Sequence, residues 1–118
     1  MQIYNPANNS WQWSGSAGSA IAPMPQERGG MGKAAFFGGE FYAIGGETTS
    51  SGTGQAAGNV YDRVDVYNPA TNTWRLETKL PTPRHGIFPL AYDGKIWVAG
   101  GGTSAGHSQS DVLEIFSR

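Results

Sequence analysis

Side chains able to carry chemistry are sparse in this chain. It holds two histidines, His85 beside Arg84 and His107 beside Ser108. Neither has a carboxylate at metal-ligand spacing, so no zinc or iron site is specified, and no metal or cofactor is expected. Cysteine is absent, which removes both a disulfide frame and a thiolate ligand. There is no phosphate-binding loop, and no residue is assigned a catalytic role. Arg28 and Arg84 occupy matching places, in Met24-Pro25-Gln26-Glu27-Arg28 and Leu80-Pro81-Thr82-Pro83-Arg84. Such recurrence suits a structural role as readily as a ligand contact. His85 reads first as a hydrogen-bonded wall residue, and His107, alone among Ser and Gly, as a solvated one. Binding chemistry is what remains, and it depends on the scaffold that gathers these residues.

That scaffold is repetitive. Tyr67-Asn68-Pro69-Ala70-Thr71-Asn72-Thr73-Trp74 repeats Tyr4-Asn5-Pro6-Ala7-Asn8-Asn9-Ser10-Trp11, with both ends shifted by 63 residues (67 − 4 and 74 − 11). Phe41-Tyr42-Ala43-Ile44-Gly45-Gly46 returns as Ile96-Trp97-Val98-Ala99-Gly100-Gly101, and Val64-Asp65-Val66-Tyr67 as Leu113-Glu114-Ile115-Phe116. Self-similarity over such distances is the mark of a stacked or radial array.

Short apolar runs around Asn/Pro/Ala, Gly38-Gly39 and Asp93-Gly94 read as β-hairpins, Asp-Gly being a strong type I′ signal. The expected strands are 2–4, 11–13, 30–37, 40–44, 62–67, 73–77, 86–92, 95–100 and 111–117. Phe41-Tyr42-Ala43-Ile44 and Ile96-Trp97-Val98-Ala99 are apolar on both faces, so both sides should be covered. Pro89 interrupts its strand, which suits an edge position. The stretch 47–59 is long for a connection, as functional loops tend to be. With strands lettered in repeat order, the chain runs c-d, a-b-c-d, a-b-c.

Composition narrows the partners. A net charge of −1 supplies no basic face for nucleic acid or an anionic membrane, and neither is expected as a partner. No apolar run approaches a membrane span. Charged residues make up 14% and Gly 18 of 118, while 38% is still apolar, a turn-rich β composition rather than a disordered one.

These landmarks resemble the kelch repeat family: a strand ending in Gly45-Gly46, then Tyr67, then Trp74, followed by Gly100-Gly101 and Phe116 where Tyr is usual. Trp11 is the matching landmark of the first copy. The resemblance implies an all-β fold, a fragment of a kelch-type β-propeller with about two four-stranded antiparallel blades plus a partial one. Residues 1–13 would form a partial blade of strands c and d, 14–29 a linker loop, 30–77 a complete blade, and 78–118 a blade lacking its last strand. Such blades cannot close a ring, so the chain reads as the C-terminal part of a longer propeller. Its first partners would be the remaining blades, or copies of itself.

Strand alternation puts the d–a and b–c connections at one end of the blades. That end would carry Glu27, Arg28, Arg84 and His85, with Thr48, Ser50, His107 and Ser108 from the b–c loops. Loops on a rigid scaffold are where binding residues concentrate. The expected function is a non-catalytic module offering this end to a protein or a glycan. The resemblance also admits a galactose-oxidase-like copper radical enzyme, whose site needs a Cys that this chain lacks, a sialic-acid mutarotase-like enzyme, or a structural spacer.

Overall fold

The computed structural model describes residues 1–48 and 58–118. Eleven strands form among these residues. They begin with β1 (Gln2–Asn5), β2 (Ser10–Trp13), β3 (Ala35–Phe37), β4 (Glu40–Ile44), β5 (Glu47–Thr48) and β6 (Asn59–Val60). The rest are β7 (Val64–Asn68), β8 (Thr73–Leu76), β9 (Leu90–Tyr92), β10 (Lys95–Ala99) and β11 (Leu113–Ser117). The fold is all-β, with no helix among the described residues.

The repeated octapeptide makes the same turn twice. Asn5 and Asn68 open it by accepting hydrogen bonds from the amides of Ala7 and Ala70. Asn9 and Asn72 both take φ of 52°, a left-handed conformation that Asn tolerates better than most residues. Their side-chain oxygens accept from the hydroxyls of Tyr4 and Tyr67 at 3.0 and 2.9 Å. Each Tyr ring lies 5.1 Å from its Trp, Trp11 or Trp74. Identical local chemistry therefore yields one hairpin unit, whatever surrounds it.

Four strands, β3-β4-β7-β8, form one antiparallel sheet, and β9-β10-β11 form another in the order β11-β10-β9. The hairpin β1-β2 stands alone, and the ends of the stretch 47–59 pair as the ribbon β5-β6. The two larger sheets pack face to face. Ala35, Tyr42, Ile44, Val64 and Val66 from the first meet Ile96 and Val98 from the second, with Phe116 packed alongside. Ile87 and Leu80, from the connection between the sheets, complete this core.

Strands a are shorter than the expected 30–37 and 86–92, beginning only at Ala35 and Leu90. The residues before them bond across the junction instead of along their own sheet. Gly32 donates to the Ile87 carbonyl at 3.0 Å, and Gly86 to the Gly30 carbonyl at 2.5 Å. Pro89 is buried just ahead of β9, where its missing N–H removes no ladder bond.

Cover on both faces is only half realised. Leu90, Tyr92, Leu113 and Ile115 project from the far side of the last sheet and are roughly half exposed or more, with Tyr92 at 68%. Phe36, Phe41 and Leu76 are likewise exposed on the far side of the four-stranded sheet. Every residue of β1 and β2 is exposed.

The double glycines sit where the junction is tightest. Gly45 has φ of 65°, and a Cβ there would stand 2.2 Å from the Arg84 carbonyl oxygen. Its neighbour Gly46 donates to that same carbonyl at 2.9 Å. Gly45→Ala is expected to destabilise by about 1–3 kcal/mol, combining backbone strain with overpacking. Gly38→Ala, in an open turn with nothing near its Cβ position, pays only for its φ of 60°. Urea midpoints of the two variants check the difference.

Candidate binding face

Arg28 and Arg84 lead their segments into the two sheets, and each guanidinium is fully buried. Their bonds follow one plan. Arg28 donates to the carbonyls of Gln26, Ala43 and Gly45 and pairs with Asp65 at 2.7 Å. Arg84 donates to the carbonyls of Thr82, Val98 and Gly100, which are the repeat equivalents, and pairs with Glu114 at 2.9 Å. It also reaches the Val112 carbonyl at 3.0 Å. Each arginine thus ties the end of strand b to the acid on strand c and to its own segment. Both are structural staples, with their donors turned inward rather than to a ligand. Their acidic partners were missed in the sequence, although Asp65 and Glu114 hold the same place in the repeated c strand.

Burial pushes the Asp65 carboxyl up, but hydrogen bonds from Arg63 and Arg28 outweigh it and hold the group below the ordinary carboxylate range. Arg63 contributes two of these, at 2.7 and 3.0 Å. At Glu114 burial is likewise the largest influence, overcome by the Thr82 hydroxyl, Arg84 and the Thr82 amide.

His85 meets a different set of partners. Its backbone bridges to Gly102, its Nδ1 lies 3.4 Å from Glu47 Oε1, and its Nε2 lies 2.9 Å from the Ser104 carbonyl and 3.2 Å from Ser108 Oγ. The order Ser108, His85, Glu47 imitates a nucleophile, base and acid. Bond directions argue against that role. Facing a carbonyl at 2.9 Å, Nε2 must carry the proton, while the Ser108 hydroxyl itself donates to the Ser104 carbonyl at 2.6 Å. A ring nitrogen that already donates cannot accept the serine proton. The cluster is a junction between a loop and the neighbouring sheet.

Antiparallel pairing brings the described candidates to one end of the two sheets. Glu27 is exposed beside buried Arg28, and Thr48 is half-buried in β5. His107 is exposed while Ser108 is half-buried, turned toward His85. Ser50 lies outside the described residues. Of the seven described candidates, only His85 and Ser108 share a side-chain hydrogen bond.

The family model described as the Kelch motif matches residues 30–81, a span that frames the four-stranded sheet. The chain belongs to the kelch repeat family. It is similar to the Kelch-like protein terF of Aspergillus terreus, 34% identical over 107 residues that make up 91% of this chain. Beta-scruin of Limulus polyphemus is 29% identical over 114 residues, 95% of the chain, and the human Kelch-like protein 23 is 33% identical over 63 residues, 53% of it. This kelch chain spans 21%, 11% and 10% of those three relatives. Its four-stranded sheet lies within the matched span, which also holds Gly45-Gly46, Tyr67 and Trp74, while Gly100-Gly101 repeat the double glycine in the other large sheet. The stapling Arg and the acid of strand c join them here.

Proposed function

We propose that this kelch chain is a non-catalytic binding module, a portion of a larger propeller that presents its loop end to a protein or glycan partner. The observation that carries this reading is the pair of buried arginine staples. They fix the strand ends from which Glu27, Thr48 and the loop bearing His107 emerge, so the loops stand on a fastened frame.

The remaining blades are the partners that the exposed apolar faces call for. A cavity of about 430 Å³ at the outer rim, lined by Tyr42, Ile44, Thr78, Leu80, Val98 and Phe116, adds to this. One blade earlier the equivalent place is filled: Trp74 stacks on Tyr67 and donates to the Ala22 carbonyl at 3.0 Å. Phe116 and Thr78 are the repeat equivalents of Tyr67 and Ala22, so the cavity suits the Trp of a fourth strand beside β11.

Photo-cross-linking side chains at Thr48 and His107 of the full-length parent, against Thr71 and Asp93 at the opposite end, test the binding face, with a glycan array for carbohydrate. Adducts are expected from the first end, and joint replacement of Glu27, Thr48 and His107 by Ala should weaken binding about tenfold or more. Capture through Thr71 and Asp93, or copper-dependent oxidase activity of the parent, would overturn the reading.

A further inference from the structure

Among the described residues, the loop between Gly102 and Ser110 is fastened to the neighbouring blade through Glu47. Glu47, on β5 in the connection between β4 and β7, accepts from the Gly106 amide through Oε2 at 2.6 Å and faces His85 Nδ1 through Oε1 at 3.4 Å. His85 holds the Ser104 carbonyl through Nε2 at 2.9 Å, and Ser108 locks the loop on itself through the amide and carbonyl of Ser104. Glycine at 102 leaves room for this packing, since a Cβ there would stand 2.1 Å from Ser108 Oγ and 2.4 Å from His85 Nε2. Gly30 does the same for Glu47, whose Cγ would be 2.6 Å from an added Cβ.

Both ring nitrogens of His85 face acceptors, a carboxylate on one side and a carbonyl on the other. Neutral imidazole has one N–H and satisfies one of them, leaving a lone pair directed at the other. The imidazolium satisfies both. Among the described residues Glu47 is the charged group that meets the ring. Arg84 and Arg28, on the adjoining segments, turn their guanidinium groups to Glu114 and Asp65, while His107 and Asp111 on the loop side are exposed.

We propose that His85 is a proton-operated clasp, which closes the 102–110 loop onto the neighbouring blade when the ring is charged and loosens it when the ring is neutral. This rests on the loop end being the binding face, and it makes pH the regulator of that face. The charged ring donates to both acceptors and the neutral ring to one, so the loop is held more tightly in acid than in base.

Amide hydrogen exchange of the full chain between about pH 5 and 8, corrected for intrinsic rates, reads the clasp without any ligand. Protection of the Gly106 amide should fall about tenfold across the range, the loss of one hydrogen bond. Glu47→Gln keeps an acceptor for Gly106 but not the charge, and should flatten the dependence; His85→Gln should abolish it. Unchanged protection in the wild-type chain, or the same pH profile in His85→Gln, would refute the clasp. A partner that binds equally well with the loop open or closed would count against the binding face, leaving the exchange result intact.

Discussion

Arg84→Ala is expected to lower unfolding free energy by about 3–5 kcal/mol, the loss typical of breaking a buried ion pair from one side. Its guanidinium is fully buried and serves five acceptors: Glu114 and the carbonyls of Thr82, Val98, Gly100 and Val112. Truncation leaves those carbonyls in a junction that water reaches poorly, and each unsatisfied group adds its own penalty. Arg84→Lys should recover less than half the loss, because one ammonium cannot span acceptors arranged around a planar fork. Urea unfolding followed by tryptophan fluorescence gives the comparison. A loss under about 1 kcal/mol for Arg84→Ala would show the staple to be redundant. Arginine-to-alanine scans of binding will therefore mix affinity with folding, whereas His107 and Glu27 are free of that ambiguity.

Asp65→Asn should be of similar size, about 3 kcal/mol or more at neutral pH, since it strands two arginines at once. Asp65 is fully buried, with Arg28 at 2.7 Å on one oxygen and Arg63 at 2.7 Å on the other. Its pH signature is specific. The folded-state carboxyl titrates below the ordinary range despite burial, because Arg63 and Arg28 favour the charged form. A depressed carboxyl contributes its full stabilisation above the unfolded value, about 3.9, and loses it as pH falls toward and through the folded one. Glu114, lowered in the same direction, adds to this acid sensitivity. The gap between wild type and Asp65→Asn should therefore be wide at pH 7 and narrow near pH 3. A gap that is constant across this range would mean that the charge of Asp65 is not what matters. Replacing Arg28, Arg63 and Asp65 together by apolar residues should be milder than Asp65→Asn alone, as no buried charge is then left unpaired.

The sequence by itself determined the parts that are local. Tyr, Asn and Trp at fixed offsets make the same turn at residues 4–11 and 67–74 because every bond in it, from the Asn-capped amides to the Tyr–Asn hydrogen bond, closes within eight residues. Strands β4 and β10 were legible for the same reason, as apolar runs ended by paired glycines. Landmarks in a fixed order then implied the kelch blade. Tertiary structure decided the rest, because it depends on which segments cross a blade junction. The inner ends of strands a pair with the neighbouring blade instead of their own sheet, and no spacing rule reports that. Arg28 and Arg84 found Asp65 and Glu114, distant by 37 and 30 residues (65 − 28 and 114 − 84), only once the sheets were assembled. Glu47 and His85, on separate blades, became one cluster through the same assembly. Their meeting is a property of packing, since the chemistry of each residue is fixed by composition and its neighbours only by the fold.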